Sequence, residues 1–102
     1  MRRLLMYAVV TVFSMDNERF AEQRRGLHEF IIPSVKQNPG FRAGYWTRDH
    51  ASGRSHNLLL FDTEEEARHA ARSVEQNAER QREMGIQLEA ISITEVVGEA
   101  HL

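Results

Sequence analysis

Any chemistry this chain performs has to come from a short roster of side chains. It has five histidines, two tyrosines, one tryptophan and no cysteine. Without thiols it can form neither a disulfide nor a thiolate metal site, and it has no thiol nucleophile. The histidines, His28, His50, His56, His69 and His101, lack the H-x-x-x-H or H-E-x-x-H spacing that sets two imidazoles on one helix face, so no metal centre is expected. Single imidazoles remain available as bases. His56 is placed across a hairpin from Arg48, and His28 flanks the apolar stripe of a helix, within reach of a cavity mouth. Surface placement competes with the first role and plain amphipathic cover with the second. Trp46 sits beside Tyr45 in a strand, so one ring faces the helices and the other the opposite sheet face. The Tyr7 phenol can orient a substrate or donate a proton, or else make a buried structural hydrogen bond. Tyr7, His28, Trp46 and His56 are therefore the candidate ligand-binding residues, with none assigned a catalytic step.

These side chains need a frame. Leu4 to Phe13 is an apolar run rich in β-branched and aromatic residues that stops at a polar cluster, which predicts a buried first strand. Asp16 suits an N-cap, and Met15 with Phe20 forms a hydrophobic staple, so a helix is expected from about Asn17. Its stripe is Phe20, Leu27, Phe30 and Ile31, with a kink or stop at Pro33 and a further turn towards Gln37. Asn38-Pro39-Gly40 reads as a turn, Phe41 to Asp49 as strand two, and His56 to Asp62 as strand three of a hairpin. Thr63 and Glu66 make a capping box, and glutamates 64 to 66 complement the helix dipole. The second helix carries Ala67, Ala70, Ala71, Val74, Ala78 and Gln81 on one stripe, and His69 opposite it. Gly85 suits a C-cap, and Ile86 to Val97 predicts a long last strand.

The order is β-α-β-β-α-β, an α+β ferredoxin-like arrangement in which two right-handed crossovers put both helices on one face of a four-stranded antiparallel sheet. At 102 residues with no internal linker, residues 1–102 read as one domain. Strand one is apolar at both parities, with Leu5, Tyr7, Val9 and Phe13 on one side and Met6, Ala8, Val10 and Val12 on the other. Strand three repeats this in Leu58 to Phe61, and strand four sets Ile91, Ile93 and Val97 against Leu88, Ala90 and Val96. The face away from the helices therefore needs cover, and a second copy of the chain is the simplest partner.

The 13 basic and 15 acidic side chains are interspersed, with a net charge of −2, so no basic field exists to hold a nucleic acid backbone. Arg2-Arg3 and the apolar run after them look like a secretory leader. The run is too short to span a membrane, and Ser14 to Asn17 offers no small-x-small cleavage site, so a cytoplasmic protein with no membrane partner is expected. There is no Gly-rich phosphate loop and no Gly-x-Ser-x-Gly elbow.

Asn38-Pro39-Gly40-Phe41 leading to Gly44-Tyr45-Trp46, and Asn57 to Phe61 running into Asp62-Thr63-Glu64-Glu65-Glu66-Ala67, resemble the dimeric α+β barrel superfamily, and within it the antibiotic-biosynthesis-monooxygenase-like group. The resemblance spans nearly the whole chain. It implies a homodimer formed by packing sheets face to face, with a ligand cavity between each sheet and its helices. Haem-degrading members carry an asparagine on the first strand and a tryptophan associated with the second helix, and this chain has neither. The resemblance thus points to the branch that needs no cofactor and acts on quinol-like aromatics. The alternative is a non-catalytic dimeric binding or stress-related protein whose aromatics are purely structural.

Overall fold

A computed structural model describes residues 6–102, so the parts of the expected first strand at Leu4 and Leu5 lie outside the described residues. Four strands form one antiparallel sheet in the order β2-β3-β1-β4: β1 Tyr7–Met15, β2 Phe41–Trp46, β3 Arg54–Phe61 and β4 Ile86–Glu95. The first helical segment opens with a tight turn at Asn17–Arg19 and continues as α1, Phe20–Gly26, a π-helical turn at Leu27–Ile31, and α2, Ile32–Lys36. The second helix, α3, is Glu64–Arg82. This is the expected ferredoxin-like α+β order, with strands two and three shorter or shifted at their hairpin ends. Asp49 and Arg54 pair by a single bridge beyond β2.

The helical segment does not end at Pro33. A proline ring collides with the carbonyl four residues back and removes one amide hydrogen. The wide turn lies just ahead of it, with the Ile32 amide bonded to the Leu27 carbonyl, and α2 resumes with proline in its first turn. The wide turn also corrects the apolar stripe. Gln23, Leu27, Ile31 and Val35 follow one another at steps of four along the sheet side, while Phe30 is turned outward and 69% exposed.

At the α3 start, the Thr63 hydroxyl accepts from the Glu66 amide at 3.1 Å, which is half of the expected capping box. The Glu66 carboxylate lies instead against Gly40, where an added Cβ would fall 1.9 Å from its Oε1. Gly40 has φ 76, so the turn before β2 needs glycine for its backbone and for this approach. Ala67, Ala70 and Ala71 then bring α3 close to the sheet over Val9, Leu59 and Phe61. Phe61 and Val9 are fully buried, each contributing about 1.5–3 kcal/mol of apolar burial. His69 is exposed, as its place opposite the alanines requires.

Register decides which side chains reach the helices. Tyr7, Val9, Thr11 and Phe13 pair with Phe61, Leu59, Asn57 and Ser55 on the helix side. Val10 and Val12 pair with Leu58 and His56 on the other face. In β4 the alternation is interrupted. The register shifts between Val12 and Phe13, which face Ala90 and Leu88, so Glu89 is an extra residue and the strand bulges there. Leu88 and Ile86 therefore join Ile91 and Ile93 on the helix side, which overturns the expected parity, and the outer positions of β4 are Ala90, Ser92 and Thr94. The outer apolar face is thus built on β1, β2 and β3, with Val10, Val12, Tyr45, Leu58 and Leu60, and not on β4. Tyr45 stands opposite Leu58 in the register and is 61% exposed. No helix among the described residues is long and apolar enough to cross a membrane.

Candidate functional site

The alanine face of α3 packs tightly only at the Val9 and Phe61 end of the sheet. Towards the other end of β1 the helices stand off, and a cavity of about 270 Å3 opens between sheet and helices. Its apolar wall includes Phe13, Leu27, Ile31, Trp46, Leu59 and Ile86. Trp46 is the inward member of the Tyr45-Trp46 pair. Its ring folds back across Gly44, where an added Cβ would come within 2.8 Å of Cη2, 2.9 Å of Cζ3 and 3.1 Å of Leu59 Cδ2. The absent side chain at residue 44 is what lets the indole lie along the sheet.

The polar floor is a hydrogen-bonded network in the strands. Asn57 is buried, and its Oδ1 accepts from the Thr47 amide at 3.1 Å while its Nδ2 donates to Thr11 Oγ1 at 3.1 Å. The Ser55 hydroxyl, with one hydrogen to give, lies 2.7 Å from the Thr47 carbonyl and 2.9 Å from Asn57 Oδ1. The second Asn57 amide hydrogen and the Thr11 hydroxyl hydrogen take no protein acceptor among the described residues, and both residues line the cavity. Gln81 Oε1, from α3, is buried and unpaired on the same cavity.

A second polar group closes one side. Gln23 of α1 is buried, and its Nε2 donates to the Asp16 and Met84 carbonyls at 3.1 Å each, tying the helix to the ends of its neighbours. Its Oε1 accepts from Arg48 Nη2 at 3.0 Å. Asn17 Oδ1 accepts from Arg48 Nε at 3.1 Å and Nη2 at 2.9 Å, and the guanidinium lies 5.1 Å from the centre of the Phe20 ring. Burial lowers the Arg48 pKa from its ordinary value, against the pull of Asp16.

Of the four candidate residues, the cavity brings together Trp46 and His28. His28 lies in the wide turn and is exposed, at the rim. Tyr7 packs against the main core cluster at the opposite end of β1, facing Phe61 and Glu95 in the register, away from the cavity. His56 is exposed on the outer face opposite Val12, and its backbone carbonyl accepts from the Thr47 hydroxyl. Arg48 turns inward to Asn17 and Gln23, so the two side chains do not meet across the hairpin. Sequence reasoning missed Gln23, Arg48 and Asn57 as site residues. Ser55 and Asn57 share the parity of Leu59 and Phe61, and polar residues at helix-facing positions were the signal. No cluster of three or more histidine, aspartate or glutamate side chains able to hold a metal occurs among the described residues.

Comparison with solved structures identifies the frame. A candidate antibiotic biosynthesis monooxygenase from Chloroflexus aurantiacus superposes with a TM-score of 0.63 at 18% identity, over 94% of this chain and 97% of that one. A dimeric ferredoxin-like protein from an uncultured marine organism gives 0.66 at 8% identity, over 96% and 99%. A monooxygenase of Streptomyces coelicolor, solved with the ligand nanaomycin D, gives 0.62 at 12% identity, over 96% and 91%. This chain has their ferredoxin-like fold. No family model and no curated protein matches it in sequence. The resemblance carried by residues 38–46 and 57–67 is to the same antibiotic-biosynthesis-monooxygenase-like group.

Proposed function

We propose that residues 1–102 form one domain that pairs with a second copy through the outer sheet face, binds a small aromatic molecule between sheet and helices, and oxidises a phenolic ligand with dioxygen and no added cofactor. The observation that carries this reading is the cavity under Trp46, walled by apolar side chains and floored by Thr11 and Asn57, each with a hydrogen left to donate. A structural protein would have filled that space with its own side chains. The likenesses to a monooxygenase with a bound ligand and to a dimeric ferredoxin-like protein agree with it.

The reaction fits the groups available. A phenol whose ring bears a hydrogen at the reacting carbon supplies all four electrons that dioxygen takes up. One oxygen atom joins the ring carbon, the other leaves as water, and the phenolic and ring hydrogens are lost, giving a quinone. Loss of the phenolic proton makes the ring electron-rich, and His28, the one imidazole that lines the cavity among the described residues, takes it in this reading. Trp46 forms the stacking wall, and Thr11 with Asn57 receives a ring oxygen. The second reading, a binding protein without turnover, is favoured by the exposure of His28, since a base left in water is poorly fixed.

An oxygen electrode separates the two. With phenols that carry a ring hydrogen ortho or para to the hydroxyl, uptake of one oxygen molecule per quinone formed is expected, falling about 100-fold in His28→Ala if the imidazole is the base, and falling also in Trp46→Phe. Ligand quenching of Trp46 fluorescence without oxygen uptake would select the binding reading, and unchanged turnover in both variants would remove both residues from the mechanism.

A further inference from the structure

Arg48 makes no contact ion pair among the described residues, and Asp16 acts on its charge only from further off. Arg19, Arg42, Arg54 and Arg68 each pair with a carboxylate and the other described arginines, Arg24 beside the cavity among them, are exposed to water, whereas the Arg48 guanidinium is half-buried and held by the neutral amide oxygens of Asn17 and Gln23 and by the Phe20 ring. Residues 1–5 contain no carboxylate that could change this. It is half-buried on the cavity wall, where its charge is costly unless something of opposite sign answers it. Its donors are unevenly used. Nε and Nη2 are occupied by Asn17 and Gln23, but Nη1 meets only the Met15 thioether, a weak acceptor, at 2.9 Å. Gln23, itself fixed by two backbone carbonyls, and Asn17, which donates to the His50 carbonyl, hold the fork still before any ligand arrives.

We propose that the cavity is built for a single-ring aromatic acid that also carries a hydroxyl, with the carboxylate received by Arg48 Nη1 and the ring oxygen by Thr11 and Asn57. The inference rests on the cavity being a ligand site and adds the charge and size of what enters it. Size follows from volume. A cavity of about 150 Å3 takes benzene, so 270 Å3 accommodates one substituted ring. Charge follows from the incomplete electrostatics of Arg48, and an acid there displaces a thioether contact with a charge-assisted hydrogen bond. A neutral phenol fills the same volume but leaves the guanidinium as it was.

The test compares 4-hydroxybenzoate with its neutral isostere 4-hydroxybenzamide, using quenching of Trp46, the only tryptophan and a cavity wall, as readout. The acid should bind roughly 10- to 100-fold more tightly than the amide, the range expected for a hydrogen bond to a charged group. Arg48→Gln should bring the ratio of acid to amide affinity to about one, whatever either Kd does alone, and Arg48→Lys should keep part of the preference. The comparison of two ligands on the parent protein needs no variant, so a folding defect in either substitution does not blunt it. Equal affinity of acid and amide, or a preference that survives Arg48→Gln, overturns the inference while the cavity reading stands. Failure of acid, amide and hydroquinone alike to perturb Trp46 overturns both.

Discussion

Replacing Gly44 with alanine tests how the cavity wall is set. The new methyl would lie 2.8 and 2.9 Å from two carbons of the Trp46 ring and 3.1 Å from Leu59 Cδ2. Carbon atoms rest at about 3.5–4.0 Å, so the indole must move by roughly 0.7 Å or more. Leu59 backs the site and is buried, so the ring can yield only towards the cavity. Overpacking of this kind costs about 1–3 kcal/mol, and the conformational gain of alanine over glycine in a strand returns about 0.5–1. A net loss near 1–2 kcal/mol lowers the Tm of a chain this size by roughly 5–15 °C. Thermal denaturation followed by circular dichroism measures this directly, and Trp46 emission should shift with it. The decisive arm is the same substitution in Trp46→Phe, whose ring lacks the outer carbons that meet the methyl. There the cost should fall by about 1 kcal/mol, the scale of coupling between residues in contact. An equal loss in both backgrounds, or a Tm for Gly44→Ala within about 2 °C of the parent, would refute the idea that an empty position 44 seats the indole.

Other consequences are more local. Asn57→Ala should leave the Thr47 amide without its acceptor, at a cost of about 1–3 kcal/mol in urea denaturation, and Asn57→Asp should not restore it fully, because Nδ2 also donates to Thr11. Asp49 is held below its ordinary pKa of 3.8, first by the Ser52 hydroxyl and then by the Ala51 amide. Its support of the β2–β3 loop should therefore be complete above that ordinary value and lost as pH falls through the lowered one; amide exchange at Ala51 and Gly53 reads it, and Asp49→Asn should flatten the response. On the outer face, Leu58→Glu should convert a sedimenting dimer to a monomer while the helix signal persists; a parent that sediments as a monomer at micromolar concentration would refute pairing through this face.

The elements were legible where local chemistry was strong. Thr63 with three glutamates announced α3, and Gly40 and Gly85 marked turns because both adopt positive φ. The outer apolar face was legible in β1 and β3 because alternation there is unbroken. It failed in β4, since an extra residue at Glu89 reverses every parity beyond it, and nothing in Leu88 to Ile91 distinguishes a bulged strand from a regular one. Phe30 was misplaced for a related reason: a 3.6-residue period cannot foresee a turn widened to accommodate Pro33. The site was harder still. Trp46 and His28 were visible as types, whereas Gln23 and Arg48 gain their roles from partners far along the chain, at Met84, Asn17 and one another.

The wide turn at Leu27–Ile31 amounts to one surplus residue, and that makes the cavity sensitive to whatever closes the turn rather than to the loss of a residue from it. Removing Glu29 would let the segment run on as an ordinary helix with Phe20, Gln23 and Leu27 still on the sheet side, because Gln23 and Val35 would then be about three whole turns apart. Closing the turn with every residue kept would instead swing everything before it by about 100° relative to Val35 and take the support of Arg48 away from the sheet. The site would tolerate a lost codon there better than a straightened helix.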